Sequence, residues 1–324
     1  MKILITSAGR RVELIQCFLS AVEKLGIKAQ IYTADINPEL SPACQKSDKF
    51  FKVSSVYKKE YIAELLKICK SEGVSLLVPT IDPELDLLSQ HIHDFAHIGT
   101  RLLISSPSVI EVARNKILTA KVLSEAGLST PGTLPIKEFL ANRPTWHPSI
   151  IAKPLGGSSS VGIIKSPNDE ELKGLENEPY LIQEYWVGRE FTVNLFFDEL
   201  GRVVSVIPHE RLEVRAGEVS KGRTIRHSSL IKAGFAFEKI FPQARGPLCF
   251  QAIVRPDNQY CIFEINARFG GGYPLADQAG AKFAQWIIEE LFSMPSSAHN
   301  DWQDGLLMLR YDNSLFIAPP PPQV

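Results

Sequence analysis

Short apolar runs alternate with amphipathic segments through the first third of the chain. Apolar runs of this length predict strands, and a period of three to four residues predicts helices. We predict strands at 2–6, 29–34, 75–79 and 101–105, and helices at 10–25, 57–70 and 83–90. Because strands separated by helices are typical of βαβ units, residues 1–107 are predicted to form an α/β, Rossmann-like domain with a parallel sheet.

The pattern changes after residue 107. Ser108 and Glu111 are spaced as a capping box at the start of a long helix, which is predicted to end at Gly127. Further strands are predicted at 149–154, 163–165, 180–186, 189–197, 203–209, 248–255, 260–269 and 306–311, and a helix at 276–292. Several of these strands are joined by short turns, so this part of the chain is predicted to contain hairpins.

The return strand of the hairpin at 248–269 alternates apolar and polar side chains. Successive side chains of a strand point to opposite faces. One face, which we interpret as core, carries Phe263, Ile265, Ala267 and Phe269, and the other carries Glu264, Asn266 and Arg268. If the turn is symmetric about Asp257 and Asn258, Gln251 lies opposite Glu264, with about 5 Å between their Cβ atoms.

The polar face of this hairpin has a composition that suits a metal ion. Gln251, Glu264 and Asn266 offer three oxygen ligands to one Mg²⁺, and the Arg268 guanidinium suits the phosphates that such a cation carries. The alternative is a half-buried hairpin with a solvated polar face. The hairpin alone leaves both interpretations open.

A run of glycine and serine follows the strand that ends in Lys153. The run consists of Gly156, Gly157, Ser158, Ser159, Ser160, Val161 and Gly162. A loop of this kind between two strands has many free N–H groups, which can cradle phosphate oxygens. It lacks the GxxxxGK[ST] pattern of a P-loop, and its alternative interpretation is a flexible linker.

Three other groups of residues are weaker candidates. The exposed main chain at 183–185 is suited to an adenine edge, and Glu190 is suited to ribose hydroxyls. Lys221, Arg223 and Arg226 form a basic cluster that is either a mobile loop clamping phosphate or an acidic substrate, or a solvated loop. Thr80, Asp82 and Glu84 follow a predicted strand end, where open α/β sheets bind ligands.

Composition excludes several classes of protein. The 324 residues are 44% hydrophobic and 22% charged with a net charge of −1, so no basic field favours nucleic acid. The five cysteines contain no CxxC pair, which favours reduced thiols in a cytoplasm. We expect no signal peptide, because the chain opens with a strand-like run that lacks its basic and apolar regions. We expect no transmembrane helix, because no apolar run approaches about 18 residues.

Taken together, these residues resemble the ATP-grasp enzymes in order and spacing. The resemblance is carried by Lys116, Ala152-Lys153-Pro154, residues 156–162, Gln183-Glu184-Tyr185, Glu190, Gln251 and Phe263-Glu264-Ile265-Asn266-Ala267-Arg268. It covers nearly the whole chain and looks most like one ATP-grasp unit of the carbamoyl-phosphate synthase large subunit. That subunit has two such units and works with a glutaminase, so we expect this single unit not to make carbamoyl phosphate alone.

The resemblance implies a Rossmann-like domain at 1–107, an ATP-grasp small subdomain at 108–186 with the glycine-rich lid, and a large subdomain at 187–324 with the metal site. It implies that Lys116, Lys153 and the glycine loop bind ATP phosphates. Gln183, Glu184 and Tyr185 would lie near the adenine, and Glu190 would bind the ribose. Gln251, Glu264 and Asn266 would bind Mg²⁺ (or Mn²⁺), and Arg268 and Lys153 would be catalytic.

The function that the resemblance implies is an ATP-dependent carboxylate–amine (or ammonia) ligase that acts through an acyl phosphate. The alternatives are a kinase that releases an acyl phosphate and a nucleotide-binding subunit of a larger synthetase. We expect small carboxylate and amine substrates, no nucleic-acid or membrane partner, and a homodimer in the cytoplasm. The sequence does not identify either substrate.

Overall fold

The computed structural model describes residues 1–144, 149–155 and 162–318. Within these ranges the chain forms three β-sheets, of five, four and six strands. The sheets follow one another along the sequence, so three successive stretches of the chain each supply one sheet.

The first sheet is parallel, as the alternation of strands and helices predicted. Its strands are β1 (Lys2–Thr6), β2 (Gln30–Asp35), β3 (Lys49–Lys52), β4 (Leu76–Val78) and β5 (Arg101–Leu102). Its helices are α1 (Val12–Lys24), α2 (Pro42–Gln45), α3 (Tyr61–Glu72), α4 (Asp82–Gln90) and α5 (Ile92–His97), with a 3₁₀ turn at Pro38–Leu40. The strand order β3-β2-β1-β4-β5 reverses direction between β1 and β4. The carboxyl ends of these two strands form the crevice in which such sheets bind ligands.

The prediction of a single long helix after residue 107 is wrong. The chain forms α6 (Pro107–Arg114) and α7 (Lys116–Glu125), separated by Asn115 in an extended conformation. The Asn115 side chain accepts hydrogen bonds from the backbone N–H groups of Ile117 and Leu118, at 3.1 Å each. An asparagine with this geometry is an N-cap, so it starts a new helix and makes Lys116 the first residue of that helix.

The predicted capping box at the start of this region is also wrong. The residue before the first turn of α6 is Ser106, not Ser108, and its side chain makes no capping hydrogen bond. Pro107 occupies the first position of the helix, where its missing N–H costs nothing.

The second sheet is antiparallel and has the strand order β6-β9-β7-β8. Its strands are β6 (Thr133–Pro135), β7 (Ile150–Pro154), β8 (Ile164–Lys165) and β9 (Tyr180–Glu184), with helices α8 (Ile136–Asn142) and α9 (Asp169–Gly174). One small apolar cluster, centred on the fully buried Phe139, packs these helices against the sheet. The four-stranded unit therefore has a core of its own.

The third sheet is antiparallel and has the order β14-β13-β10-β11-β12-β15. Its strands are β10 (Arg189–Phe197), β11 (Val203–Arg215), β12 (Glu218–Thr224), β13 (Gly246–Val254), β14 (Tyr260–Asn266) and β15 (Leu307–Leu309). Its helices are α10 (Ser228–Ile240), α11 (Tyr273–Gln278) and α12 (Phe283–Leu291). The helix predicted at 276–292 is thus two helices, because Gly280 between them has a φ of 111°, which no helix contains.

The first and third sheets share their apolar cores. One cluster joins Leu4 and Leu77 of the first sheet to Phe250 and Ile265 of the third, and a second joins Ile5 to Trp286. These two parts of the chain therefore pack as one body, while the four-stranded unit is stabilised by its separate cluster.

We predict that Asn115→Ala lowers the free energy of unfolding by about 1 kcal/mol, because it removes the cap that starts α7. Urea unfolding monitored by circular dichroism measures this change. Ser106→Ala is the matched control, since Ser106 has the same position before α6 without a capping hydrogen bond. Equal losses from the two substitutions would contradict the prediction.

Candidate active site

A cavity of about 590 Å³ lies between the four-stranded and six-stranded sheets. Eight of the residues predicted from the sequence line it: Lys116, Lys153, Gln183, Glu184, Tyr185, Glu190, Gln251 and Glu264. Strands β7 and β9 supply one wall, and β10, β11, β13 and β14 supply the other. The chain crosses between the walls at Gly188, where a Cβ atom would overlap the carbonyl group of Val254.

Lys153 contacts two side chains inside this cavity, Gln183 and Phe263. Its Nζ donates to Gln183 Oε1 at 2.6 Å, and Gln183 in turn donates to Thr133 Oγ1 at 3.0 Å. The ammonium lies 5.0 Å from the centre of the Phe263 ring, within range of a cation–π contact. Burial lowers the pKa of Lys153 to about 8, Glu264 opposes this shift, and nearby Lys116 adds to it.

Two ammonium groups therefore lie close together at one part of the cavity. Lys116 lies at the start of α7, and Lys153 is the penultimate residue of strand β7, before the glycine-rich run. Two like charges in a partly buried site repel each other, so the site favours an anion that compensates both. A triphosphate supplies such an anion.

The hairpin formed by β13 and β14 places Gln251 directly opposite Glu264, as predicted. The predicted turn was nevertheless wrong. The loop runs from Arg255 to Gln259, with the N–H of Arg255 bonded to the Gln259 carbonyl and Asn258 at a φ of 64°. This turn is centred on Asp257 and shifts the register by one residue, and a bulge at Phe263 restores it.

The bulge also changes the face on which Phe263 lies. Phe263 was predicted to be a core residue, but it is the extra residue of the bulge and lines the cavity beside Glu264. A bulge opposes two residues of one strand to one residue of the other, so two successive side chains point the same way. Ile265 and Ala267 are buried in the core as predicted.

Asn266 and Arg268 lie next to Glu264 but do not line the cavity itself. Asn266 Nδ2 donates to Glu264 Oε1 at 3.2 Å, and Asn266 Oδ1 accepts from Arg268 Nη2 at 3.1 Å. The same Nη2 forms a short ion pair with Asp82 of α4. The proposed metal ligands are therefore joined through Arg268 to the first domain.

The donor set of this hairpin fits a hard cation. Gln251 and Glu264 offer an amide oxygen and a carboxylate to the cavity, and Asn266 Oδ1, which already accepts from Arg268, has a second lone pair; oxygen ligands of this kind suit Mg²⁺. Among the described residues no group of three or more His, Cys, Asp or Glu side chains is placed to hold a metal ion. The candidate ligands on this hairpin are one carboxylate and two amides, so they are not a cluster of the His, Cys, Asp and Glu type.

The residues predicted to lie near the adenine and ribose follow the edge of β9 and the start of β10. Glu184 Oε1 lies 3.7 Å from Arg255, whose guanidinium stacks on the Trp186 ring at 3.5 Å. The backbone N–H of Tyr185 donates to the Ser149 carbonyl and is therefore engaged within the sheet. The next residues of the chain, Trp186 and Val187, line the cavity.

Two cations that line the cavity were not among the predicted residues. Arg211 of β11 pairs with Glu190 at 3.1 Å, and Lys165 of β8 lies 5.6 Å from the Tyr185 ring. Each has a signal in the sequence: Lys165 follows the glycine-rich run, and Arg211 lies in the charged segment before Lys221. Arg211 points into the cavity because successive side chains of β11 point to opposite faces. The segment was predicted to be a loop, in which no such alternation is expected.

The basic cluster of Lys221, Arg223 and Arg226 does not form the predicted mobile loop. Lys221 and Arg223 lie on β12, which pairs with β15 and with β11, although the register with β11 shifts on both sides of Glu213. Lys221 pairs with Glu213 at 2.6 Å. Arg226 pairs with Asp301 at 3.2 Å and stacks over the Trp302 ring. None of these three residues lines the cavity.

The remaining predicted residues are those of the glycine-rich run and those at the end of β4, and only some of them lie within the described residues. Gly162 has a φ of 74°, and its carbonyl accepts from the Tyr180 hydroxyl at 2.9 Å. Gly156, Gly157, Ser158, Ser159, Ser160 and Val161 lie outside the described residues. Thr80 and Glu84 are buried, and their side chains hydrogen-bond to β1 and to the start of α4, so their contacts are structural.

The five cysteines are all buried thiols without a disulfide partner. Cys261 lines the cavity, and burial raises the pKa of its thiol to about 12. At neutral pH this thiol is protonated and is therefore a poor nucleophile. In the part of the chain that the structure describes, no helix is long and apolar enough to span a membrane.

Comparison with known families divides the chain into two parts. Residues 3–103 match the family described as PylC-like, N-terminal domain, and residues 113–272 match the ATP-grasp domain. The second stretch contains the whole candidate site from Lys116 to Arg268, so the predicted ATP-grasp fold is confirmed. No curated protein matches the chain in sequence.

Solved structures show the same fold at low sequence identity. The biotin carboxylase domain of 2-oxoglutarate carboxylase from Hydrogenobacter thermophilus, in complex with MgADP, ADP and bicarbonate, has a TM-score of 0.73 at 15% identity. The matched region covers 94% of this chain and 73% of that one. N5-carboxyaminoimidazole synthetase from Staphylococcus aureus has a TM-score of 0.69 at 14% identity, with coverages of 91% and 78%.

A third similar structure is the L-amino acid ligase from Bacillus licheniformis, with a TM-score of 0.66 at 17% identity and coverages of 91% and 75%. The predicted ligase class and the predicted cofactors, ATP and Mg²⁺, agree with these comparisons. The comparisons support the ATP-grasp part of the resemblance and do not bear on its narrower likeness to carbamoyl-phosphate synthase.

The lowered pKa of Lys153 predicts a pH-dependent affinity for ADP. The pKa of Lys153 is about 8, so in the free protein its ammonium is charged below about pH 8 and can bind a phosphate. Above about pH 8 this charge is lost. With the bound form protonated throughout, the dissociation constant rises about tenfold between about pH 7 and pH 9. Isothermal titration calorimetry at a series of pH values measures this rise.

Lys153→Arg is the matched variant for this experiment, because an arginine stays charged over the whole range. Its affinity for ADP is expected to change much less with pH than that of the unsubstituted protein. A similar pH dependence in both proteins would assign the titration to another group.

Proposed function

We propose that this chain is an ATP-dependent carboxylate–amine (or ammonia) ligase. In the first step a carboxylate oxygen of the substrate attacks the γ-phosphorus of ATP, which forms an acyl phosphate and releases ADP. In the second step an amine nitrogen attacks the acyl carbon, forms the C–N bond and releases phosphate. Neither step needs a nucleophile from the protein, in keeping with the protonated state of Cys261.

The observation that carries this proposal is the distribution of charge across one cavity. Lys116 and Lys153 place positive charge at one part of the cavity, and Gln251 and Glu264 place oxygen ligands on the wall formed by the six-stranded sheet. Phosphoryl transfer needs both, because the negative charge on the transferred group has to be compensated from several directions. A site that only bound phosphate, without transferring it, would need the lysines alone.

Gln251, Glu264 and Asn266 would hold the Mg²⁺, which supplies charge neutralisation at the phosphates when it is bound. Lys153 would hold a phosphate oxygen, and Arg268 would contact the phosphate or the substrate anion from the side of the first domain.

The comparisons support the same class of reaction. A carboxylase domain that was solved with MgADP and bicarbonate, a synthetase and an amino acid ligase all share this fold. They support ATP and Mg²⁺ as cofactors and a small molecule as the substrate. The subdomain boundaries at 107 and 186, a homodimer and a cytoplasmic location remain predictions.

ADP release by the purified protein, screened across carboxylates and amino acids with and without amines, tests the proposed function. We expect ADP release that depends on a carboxylate and a C–N product that appears only when an amine is present. Hydroxylamine intercepts an acyl phosphate as a hydroxamate. A stable acyl phosphate that no amine consumes would identify a kinase, and absence of turnover by the chain alone would favour a subunit of a larger synthetase.

Glu264→Ala and Asn266→Ala test the metal site. Each removes an oxygen ligand, so turnover is expected to fall by at least about 10–100-fold, with a higher Mg²⁺ requirement, while the chain remains folded. Steady-state rates at a series of Mg²⁺ concentrations measure this change. Glu213→Ala is the control, because Glu213 pairs with Lys221 outside the cavity. Full activity of either variant at limiting Mg²⁺ would refute the assignment.

A further inference from the structure

A continuous chain of polar contacts joins the first domain to the candidate metal ligands. Asp82 pairs with Arg268 Nη2, the same Nη2 donates to Asn266 Oδ1, and Asn266 Nδ2 donates to Glu264 Oε1. The side chains of Asp82 and Arg268 are only 12% and 13% exposed. Water therefore screens this ion pair much less than it screens an exposed pair.

The position of Asp82 is fixed by the backbone that carries it. Asp82 is the first residue of α4, and the buried carboxylate of Glu84 accepts from the N–H groups of Thr80 and Ile81 just before it. The hydroxyl of Tyr61 donates to the same carboxylate at 2.6 Å. These contacts hold the turn at the carboxyl end of β4, so Asp82 offers Arg268 a rigid partner.

Arg268 would behave differently without Asp82. Its Nη2 donates to Asn266 and Asn266 donates to Glu264, so a single side chain separates the guanidinium from the Glu264 carboxylate. Glu264 is thus within electrostatic range of this cation. If the charge of Asp82 were removed, the guanidinium would be drawn past Asn266 towards Glu264, whose carboxylate oxygens are candidate ligands.

The orientation of the Asn266 amide depends on the same contacts. An amide group presents its oxygen on one side and its nitrogen on the other. Arg268, which can only donate, fixes the oxygen on its own side, and Glu264 accepts from the nitrogen. The side chain that is proposed to bind the metal is therefore oriented by a guanidinium that Asp82 holds.

We propose that Asp82 is a positioning residue for the metal site: it holds Arg268 away from Glu264 and thereby sets the orientation of Asn266. This proposal rests on the proposed function, since it assumes that Glu264 and Asn266 bind Mg²⁺. Asp82 belongs to the PylC-like N-terminal domain and not to the matched ATP-grasp stretch. On this reading the first domain completes the metal site from outside the ATP-grasp domain.

Binding of ADP to Asp82→Asn, measured by calorimetry with and without Mg²⁺, tests the proposal. We expect the dissociation constant in the presence of Mg²⁺ to rise about 10-fold or more, as for other residues that orient metal ligands. Without Mg²⁺ the dissociation constant is expected to stay within about twofold, because Asp82 does not line the cavity that is proposed to hold ADP. Equal weakening in both conditions would overturn the proposal, because a general loss of structure acts on both.

Asp86→Asn is the matched control. Asp86 lies one turn further along α4 and pairs with Arg114 at 2.8 Å, away from the metal hairpin. ADP binding by this variant is expected to match that of the unsubstituted protein in both conditions, and a Mg²⁺-specific loss like that of Asp82→Asn would overturn the proposal. If Asp82→Asn does not fold, Asp82→Ser serves in its place, with folding checked by urea unfolding.

The outcome also separates this proposal from the proposed function. If Mg²⁺ does not strengthen ADP binding by the unsubstituted protein, the metal site itself is refuted. If Mg²⁺ strengthens ADP binding by the unsubstituted protein and by Asp82→Asn to the same extent, the metal site stands and the positioning role of Asp82 is refuted.

Discussion

The site depends on one buried positive charge, the ammonium of Lys153. Removing a charge from water is costly, and here the cost is visible as a pKa lowered to about 8. The protein offsets part of it with the Gln183 oxygen, the face of the Phe263 ring and the nearby Glu264 carboxylate. An anionic ligand bound beside the ammonium would offset the remainder of this cost.

The groups that stabilise the Lys153 ammonium come from parts of the chain that are far apart in sequence. Phe263 reaches Lys153 only because a bulge turns it out of the core, and the same bulge brings Gln251 opposite Glu264. The contacts then continue through Asn266 and Arg268 to Asp82. The cation, the candidate metal ligands and the first domain therefore form one connected electrostatic system.

The sequence was sufficient for features that depend on local periodicity. The parallel sheet follows from its buried runs, and the pairing of Gln251 with Glu264 was predicted. The pairing was right although its derivation was not, because an asymmetric turn and a bulge shift the register in opposite directions. Neither shift has a marker that can be read without knowing the partner strand. Arg211 was missed for a related reason: a charged segment looks like a loop until it is known to pair with β10.

Gly188 gives the crossing between the two walls of the cavity an unusual sensitivity to sequence. Most positions that shape a binding site do so through the side chain they carry, so substitution removes or changes a contact. Here the crossing requires that a side chain be absent, since even a methyl group would overlap the Val254 carbonyl. The close approach of the two walls at this point is therefore a contact between main-chain atoms. A substitution at this position would alter the shape of the whole cavity rather than one interaction within it.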